Sequence, residues 1–219
     1  MRSPRQCRTD IESLRKRLKQ SHKPVPIVDL GAGSTGDIST VAAIARRSLK
    51  RPKHARALSA LCQHIASRNT LELGTSLGLT SAYLAGPSMQ LITVEGNPHI
   101  AQIARGHWEE LGISNIKSIT GSFDEQWDNL AASSIDFDLI FIDGNHRGEA
   151  LKSYIKKSLP MLSTEGVIVC DDIHWSKDME AAWSTICAME CWTLQMDAFE
   201  WGLLTRNPAL KREHVRIRF

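Results

Sequence analysis

From residue 69 onward the sequence alternates between short apolar runs and amphipathic helical segments. The first five runs are TLELG (70–74), LITVE (91–95), IKSIT (116–120), FDLIFID (137–143) and GVIVCDD (166–172). Runs separated by helical segments are typical of βαβ units, so these five predict parallel strands. Two later runs, CWTLQM (191–196) and EWGLLT (200–205), are joined by only three residues. Because that connection is too short for a crossover helix, they predict an antiparallel hairpin.

The N-terminal part of the chain has a different, mostly helical pattern. Ile11, Leu14 and Leu18 form a narrow apolar stripe, which predicts a short basic helix over roughly residues 10–20. A second helical stretch covers about residues 38–66 and is broken by a proline.

These patterns divide the chain into three parts. We predict a basic helical extension over residues 1–66, an α/β domain over residues 67–206 and a basic tail over residues 207–219. The α/β domain should contain a doubly wound sheet of seven strands, five parallel ones and the C-terminal antiparallel hairpin. We expect the extension to form a cap over the substrate cleft.

Charge is concentrated at the two ends of the chain. The 219 residues include 27 Lys and Arg and 24 Asp and Glu, which gives a formal net charge of +3. Residues 1–23 hold eight of the basic side chains and residues 206–219 hold five, so the middle of the chain is acidic. Basic ends can bind nucleic acid or other anionic partners, but they are more often solvated segments.

Composition also bears on the compartment. No apolar stretch approaches the roughly 18 residues that span a bilayer, and the N-terminus carries no apolar secretory segment. The five cysteines are odd in number and include no C-x-x-C pair, which indicates reduced thiols rather than disulfides or a zinc site. We therefore expect a cytoplasmic protein with no membrane partner.

Two glycine-rich segments compete for the role of a nucleotide loop. VDLGAGSTG (28–36) contains a literal G-x-G-x-x-G, whereas LELGTSLGLTS (71–81) does not. A dinucleotide loop needs a strand before it, a helix after it and a second strand that ends in an acid about 20 residues further on. The first segment is followed by the basic run ARRSLKRPKHAR and by no strand-like run. We interpret it as a glycine turn rather than as a nucleotide site.

The second segment meets these requirements. Its strand leads into Gly74, and the next predicted strand ends in Glu95, 21 residues later. A carboxylate at this position can accept hydrogen bonds from both ribose hydroxyls, and the following helix offers N–H groups to an anionic part of the ligand. The segment lacks the glycine spacing that brings backbone against a pyrophosphate. We therefore predict a cofactor that contains adenosine but no pyrophosphate.

The order of these motifs resembles the class I S-adenosylmethionine-dependent methyltransferases, and in particular their metal-dependent catechol and caffeoyl-CoA O-methyltransferase-like group. The motifs that carry the resemblance are LELGTSLGLTS, ITVEGNPHIAQIARGHWEELGI, ITGSF, FDLIFIDGNH and GVIVCDDIHW, which cover about half of the chain. The resemblance implies a Rossmann-like α/β fold and S-adenosylmethionine as the cofactor. It is also compatible with a homodimer.

The resemblance further implies which residues bind the cofactor. The loop that begins at Gly74 would line the methionine part, Thr80 would lie near its carboxylate, Glu95 would hold the ribose, and Ser122 and Phe123 would flank the adenine. The complete implied set is Glu72, Gly74, Thr75, Ser76, Gly78, Thr80, Glu95, Gly121, Ser122, Phe123 and Asp143. Three residues have structural alternatives, because Thr80 can cap a helix, Ser122 can form a turn and Phe123 can be plain core.

Three acids should meet at the carboxyl ends of the fourth and fifth strands, where ligands bind in open α/β sheets. They are Asp143, Asp171 and Asp172. In the enzymes that the chain resembles, these positions carry two Asp and one Asn that bind a divalent cation, so the third Asp is a departure. Three oxygen acids suit Mg²⁺ or Ca²⁺, with Mn²⁺ as a further candidate. The structural alternative is that the Asp pair caps the next turn.

Methyl transfer also needs a group that takes the proton of the acceptor hydroxyl. His146 falls where the resembling enzymes carry a lysine assigned as general base, and histidine can do this work at neutral pH. His174 is a second candidate, as a base or as a metal ligand. The catalytic roles are therefore assigned to Asp143, His146 and His174, with the ordering of a loop as the alternative role of His146. Trp175 lines the substrate pocket or packs in the core.

The resulting hypothesis is transfer of a methyl group from S-adenosylmethionine to an oxygen of a small-molecule acceptor, with a divalent cation as an optional partner. The chain has no N/D-P-P-Y/F motif and no Pro-Cys or Thr-Cys pair, which argues against methylation of DNA bases. Two alternatives stay open. One is an RNA methyltransferase that uses ARRSLKRPKHAR and the basic ends as an electrostatic footprint, and the other is a module that binds the cofactor without turnover.

Overall fold

The computed structural model describes residues 4–28 and 38–218, so the GAGSTG turn predicted at residues 31–36 lies outside the described residues. The chain falls into two compact units. The first consists of Met1–Arg68 and Gly74–Gln126, and the second of Asn69–Leu73 and Trp127–Phe219.

The first unit begins with helices and a small strand pair. These elements are α1 (Pro4–Leu18), β1 (Pro24–Pro26), β2 (Ile38–Thr40), α2 (Val41–Ser48) and α3 (Pro52–His64). The apolar stripe of α1 is buried as the sequence pattern requires, with Ile11, Leu14 and Leu18 no more than 5% exposed. β1 and β2 pair antiparallel, which the sequence did not predict because each contributes only three residues.

The rest of the first unit alternates helices and parallel strands. The elements are α4 (Leu79–Ala85), β4 (Gln90–Glu95), α5 (Pro98–Leu111) and β5 (Ile116–Thr120), followed by α6 (Phe123–Ala132), which continues into the second unit. β4 and β5 are parallel. α5 begins at a side-chain cap, because Asn97 Oδ1 accepts hydrogen bonds from the amides of His99 and Ile100. It ends at Gly112, whose φ of 66° suits a glycine.

The second unit contains the other strands, the end of α6, two further α-helices and a 3₁₀ helix at Leu159–Met161. Its elements are β3 (Asn69–Leu73), β6 (Phe137–Ile142), α7 (Gly148–Ser158), β7 (Leu162–Asp171), α8 (Lys177–Cys187), β8 (Leu194–Asp197), β9 (Trp201–Thr205) and β10 (Glu213–Arg216). β3, β6 and β7 are parallel, whereas β9 runs antiparallel to both β7 and β8. β6 and the buried part of β7 (residues 166–170) are almost entirely apolar, as expected for strands covered on both faces.

The mixed α/β fold is confirmed, but the main sheet has eight strands rather than seven. Six belong to the second unit, in the order β10-β8-β9-β7-β6-β3, and two, β4 and β5, to the first. The additional strand is β10, which pairs parallel with β8 and lies within the predicted basic tail. Its sequence EHVR is mostly exposed, so this edge strand has no apolar run by which the sequence could reveal it.

Asp197, at the end of β8, is the buried centre of a charge network in the second unit. Its side chain is only 4% exposed, and it accepts hydrogen bonds from the Phe199 amide at 2.9 Å and from His174 Nε2 at 3.0 Å. Arg216 Nε lies 3.4 Å from the same carboxylate. Burial acts to raise the pKa of Asp197, but the Phe199 amide, His174 and Arg216 together hold it below its usual value.

We expect Asp197→Asn to lower the free energy of unfolding at pH 7 by about 1.5–3 kcal/mol, the range for a hydrogen bond to a charged group. The folded-state pKa is depressed, so this contribution is present above the unfolded-state pKa and disappears as the pH falls through the folded-state value. Urea unfolding at several pH values measures the difference between wild type and variant. The difference in free energy of unfolding between wild type and variant should be constant above about pH 5 and should become smaller only at more acidic pH. Asp128→Asn, on the exposed face of α6, is the matched control.

Of the helices that the structure describes, none is both long and apolar enough to cross a membrane.

Candidate functional site

The glycine loop after β3 has the backbone conformation that its sequence requires. Gly74 has φ 106° and Gly78 has φ 78°, values that side chains with a Cβ rarely adopt, and Ser76 is also left-handed at 47°. The Gly78 amide donates to the Thr75 carbonyl at 3.0 Å, which closes the loop as a tight turn. The loop therefore presents its backbone, rather than side chains, to a ligand.

Trp108, on α5, fixes this loop from behind. Its Nε1 donates to the Gly78 carbonyl at 2.8 Å. A Cβ on residue 78 would lie 2.7 Å from that nitrogen, so only glycine allows the indole to approach. The sequence did not reveal this contact, because Trp108 looks like an ordinary core residue of an amphipathic helix.

Glu95, the predicted ribose ligand, lies directly over the glycine loop. One carboxylate oxygen accepts a hydrogen bond from the Ser76 amide at 2.8 Å, and the other accepts one from the Asn97 amide at 3.0 Å. Burial raises the pKa of Glu95, while the hydrogen bonds from the Asn97, Ser76 and Gly96 amides oppose the increase. The carboxylate is therefore positioned before any ligand binds and retains lone pairs for further donors.

Asn97 is a positioning residue that the sequence pattern did not reveal. Its amide binds Glu95, its Oδ1 caps α5 and its Nδ2 donates to the Pro26 carbonyl at 3.0 Å. The dipeptide Asn97–Pro98 is a helix-start signal and could have identified the cap. The bond to Pro26, which spans 71 residues of sequence, has no such signal.

The segment after β5 forms a helix start. Ser122 Oγ accepts from the Glu125 amide at 3.3 Å, and the Ser122 amide donates to the Glu125 carboxylate at 3.1 Å, a reciprocal capping box for α6. The Gly121 amide donates to the Glu95 carbonyl at 3.0 Å, which ties this segment to the end of β4. Phe123 is half-buried as the first residue of α6.

Three other predicted cofactor residues are buried. Thr75 is buried and its hydroxyl lies 2.6 Å from that of Thr93, so its side chain supports the loop. Thr80 lies in the first turn of α4, where Gly78 occupies the cap position, so the helix-cap alternative is wrong for Thr80. Glu72, in the second unit, is fully buried in β3.

In the second unit, the predicted catalytic loop follows β6. The Asp143 amide donates to the Leu73 carbonyl at 2.8 Å, which places this residue at the carboxyl end of two paired strands. Asn145 has φ 51°, and its Nδ2 donates to the Tyr154 hydroxyl at 3.1 Å. Asn145 Oδ1 is buried and has no hydrogen-bond partner among the described residues.

The loop after β7 brings two predicted residues together. Asp172 adopts φ 54°, and one of its carboxylate oxygens lies 3.8 Å from His146 Nε2. Each of these side chains is about one third exposed, at 33% for His146 and 31% for Asp172. The Trp175 ring, which belongs to a residue that is 70% exposed, lies 6.1 Å from the His146 ring. Core packing is therefore wrong for Trp175.

His174 has a different environment from His146. Its Nδ1 lies 3.1 Å from Glu180 and its Nε2 lies 3.0 Å from Asp197, so both ring nitrogens face carboxylates. The ring also stacks on Phe199, with centroids 5.5 Å apart. A general base needs a nitrogen with a free lone pair, which this arrangement does not offer. Of the two predicted bases, the geometry favours His146.

The three predicted metal ligands do not form a ready-made site. Asp171, at the end of β7, is buried at 3% exposure, whereas Asp143 and Asp172 are partly exposed. Within residues 4–28 and 38–218, no group of three or more His, Cys, Asp or Glu side chains has an arrangement that could hold a metal ion.

Gly148 and Asp178 hold the loop after β6 against α8, and neither was predicted to do so. Asp178 Oδ2 accepts a hydrogen bond from the Gly148 amide at 2.6 Å. A Cβ at residue 148 would lie 2.7 Å from the Asp178 carbonyl oxygen, so the start of α7 must be a glycine. The sequence separation of 30 residues hides this contact from pattern analysis.

Comparison with known proteins agrees with this geometry. Residues 71–173 match the family model described as a methyltransferase domain. The resemblance to the class I methyltransferases is confirmed. That family model begins in β3 and ends just after β7, and it therefore includes both the glycine loop and the Asp172 turn.

The individual proteins that this chain resembles have low sequence identity to it. A catechol O-methyltransferase of Mycobacterium tuberculosis is 29% identical over 120 residues, which are 53% of this chain and 53% of that protein. This chain therefore spans about half the length of that curated relative. An O-methyltransferase from Bacillus cereus, solved with S-adenosylhomocysteine, has a TM-score of 0.63 at 21% identity and covers 73% of this chain and 83% of its own. The cofactor-bound protein Rv0187 from MTB has a TM-score of 0.67 at 19% identity, over 90% of this chain and 89% of its own.

Proposed function

We propose that the protein transfers a methyl group from S-adenosylmethionine to an oxygen of a small-molecule acceptor. The observation that carries this proposal is the position of Glu95, whose carboxylate is held over the glycine loop by the Ser76 and Asn97 amides. The Bacillus cereus relative was solved with S-adenosylhomocysteine, the demethylated form of this cofactor, which supports the choice of ligand.

The cofactor is assigned to residues of the first unit. The Glu95 carboxylate accepts the ribose hydroxyls with its remaining lone pairs. The loop from Gly74 to Gly78 lies along the methionine part, with Thr80 near its carboxylate. The half-buried Ser122 and Phe123 flank the adenine, a role that the Ser122 cap leaves open because it uses only the amide and one lone pair of the hydroxyl.

Deprotonation of the acceptor is assigned to His146 in the second unit. Methyl transfer is an in-line displacement, in which the acceptor oxygen attacks the sulfonium methyl as its proton leaves. His146 Nε2 takes that proton, and the Asp172 carboxylate 3.8 Å away stabilises the resulting imidazolium. The exposed ring of Trp175 beside His146 offers a flat apolar surface, which fits a phenolic acceptor.

A divalent cation is a further part of the proposal. The donor chemistry suits a hard cation, because Asp143 and Asp172 supply carboxylates and Asn145 supplies a buried amide oxygen that no described residue occupies. These residues would hold the ion, which would lower the pKa of an acceptor hydroxyl. Because the carboxylates are not gathered into a group, no step of the mechanism is routed through the ion.

One observation favours RNA as an alternative acceptor. Residues 38–68 contain seven Lys and Arg and no Asp or Glu. Five of these basic side chains are exposed, four on α2 and α3 and one just before α3; they are Arg46, Arg47, Arg51, Lys53 and Arg56. Steep salt dependence of RNA binding by the intact chain would support this alternative over a small molecule. The cytoplasmic location, a homodimer and the division at residues 66 and 206 remain predictions.

We expect Glu95→Gln to weaken S-adenosylhomocysteine binding by about 10–100-fold, because a charged acceptor contributes about 1.5–3 kcal/mol. Burial raises the pKa of Glu95, so wild-type affinity should fall on acidification at a higher pH than an ordinary glutamate titrates. Calorimetry as a function of pH measures both effects. The variant should lose this pH dependence, and Glu109→Gln on the exposed face of α5 should behave like wild type. Unchanged affinity in Glu95→Gln would remove the basis of the proposal.

We expect His146→Gln to lower kcat by about 10²–10⁴-fold, the range for loss of a general base, without changing S-adenosylhomocysteine affinity. Methyl transfer to a panel of phenols is the assay, and His64→Gln is the control because that histidine is exposed at the end of α3. A variant as active as wild type would contradict the base assignment. If wild type binds the cofactor but methylates no acceptor, the non-catalytic module is the better description.

We expect millimolar MgCl₂ to raise the Tm of wild type and to leave the Tm of Asp172→Asn unchanged, because a cation that binds only the folded state stabilises it. Asp128→Asn removes the same charge from an exposed position of α6 and should respond like wild type. An absent Mg²⁺ response in wild type, or an equal response in Asp172→Asn, would contradict the cation assignment. Neither result bears on cofactor binding.

A further inference from the structure

A cavity of about 450 Å³ opens in the first unit, between β1 and α5. Its lining includes Lys23 and Pro26 on one side and, on the helix, His99, Gln102, Gly106 and His107. Volumes of this size are typical of small-molecule sites. None of the residues assigned above to cofactor or acceptor lines it.

The lining has the chemistry of a site for an anion. Lys23 supplies an ammonium group, His99 an imidazole and Gln102 an amide, and no Asp or Glu of residues 4–28 and 38–218 is among those that line the cavity. The carboxylate of Glu110, in the next turn of α5, is bound by Arg17, whose Nη2 lies 2.7 Å from Oε2. Proline and isoleucine side chains complete the walls and can pack against the carbon atoms of a ligand.

His107 adds a hydrogen-bond acceptor to the cavity. Its Nδ1 lies 2.9 Å from the Leu77 carbonyl oxygen and must donate to it, because a carbonyl only accepts. In the neutral ring, Nε2 then carries the lone pair and accepts. Burial lowers the pKa of His107, which favours this neutral form. The cavity therefore offers an acceptor for a hydroxyl next to donors for an anion.

Gly106, on α5, indicates that the cavity beside this helix accommodates a ligand. Glycine inside a helix is less stable than alanine by roughly 0.5–1 kcal/mol. A Cβ on residue 106 would meet nothing within 4 Å, so no neighbour in the described chain requires a glycine there. The missing side chain instead widens the cavity along α5.

Two hydrogen bonds join the cavity to the cofactor residues. His107 binds the carbonyl of Leu77 within the glycine loop. On the opposite wall, the Pro26 carbonyl accepts from Asn97, whose amide binds Glu95 at 3.0 Å. A ligand that moves either wall would change the position of a group assigned to the cofactor.

We propose that this cavity binds a hydroxylated organic anion, a phosphate ester or a carboxylate, and that its occupancy changes the affinity for the cofactor. Lys23 and His99 bind the anionic group, and His107 Nε2 accepts from a hydroxyl. The anion site stands on the cavity alone. The coupling rests on the proposed cofactor site, and by linkage it acts equally in both directions.

The test is calorimetric titration of the full-length chain with glucose 6-phosphate, with gluconate and with neutral glucose. One or both anions bind and glucose does not, and the stronger anion identifies the preferred group. Lys23→Met weakens binding about tenfold, as expected for a charge-assisted hydrogen bond, whereas Lys117→Met on the exposed face of β5 has no effect. No binding of either anion, or equal binding by Lys23→Met and wild type, overturns the site.

Gly106 provides a second pair of variants. Gly106→Ala retains binding and raises the Tm, whereas Gly106→Phe fills the cavity and abolishes binding while the protein remains folded by circular dichroism. Binding that survives Gly106→Phe overturns the assignment to this cavity. If Gly106→Phe does not fold, Lys23→Met decides alone.

The coupling is measured as S-adenosylhomocysteine affinity with and without saturating anion. A change of about fivefold or more, absent in Lys23→Met, supports it, and an unchanged affinity overturns it. If S-adenosylhomocysteine does not bind under any condition, the proposed function fails while the anion titration still decides the site.

Discussion

Burying a carboxylate is unfavourable unless backbone donors replace the water it loses, and the first unit is organised around one such case. Glu95 receives the amides of Ser76 and Asn97, so a single side chain joins the glycine loop to the start of α5. Burial still raises its pKa, which means that these donors do not fully compensate for the lost solvent. A ligand with two hydroxyl donors would supply hydrogen bonds in place of the solvent that the carboxylate still lacks.

The neighbouring contacts of the first unit keep that carboxylate in place. Trp108 holds the far side of the loop at Gly78. Asn97 holds Glu95, the last residue of β4, and is itself fixed by hydrogen bonds with Pro26, His99 and Ile100. Because α5 supplies both the Trp108 indole and the Asn97 cap, the loop and the carboxylate are positioned by one rigid element. A preorganised arrangement of this type loses little conformational entropy when a ligand binds.

The parts of the molecule that the sequence predicts are those in which local pattern and burial coincide. The parallel strands are apolar because both faces are covered. Glu95 was predicted as the ribose ligand because it lies 21 residues after Gly74 in the sequence. β10 was not predicted because an exposed edge strand needs no apolar run. The surroundings of His174 were not predicted for another reason: Asp197 lies 23 residues away, and a sequence pattern does not show which nitrogen faces which carboxylate.

The two histidines show how the environment of a side chain decides what it can do. His174 lies between two carboxylates and stacks on Phe199, so its ring is committed to the network that stabilises the end of β8. His146 faces one carboxylate at 3.8 Å, beyond hydrogen-bonding distance, and keeps about a third of its surface exposed. A base must be able to exchange a proton with a ligand, and such exchange requires access as well as a nearby anion. Of the two histidines, only His146 combines access with a nearby anion. The proposed deprotonation is therefore assigned to His146, and His174 is assigned to the stability of the second unit.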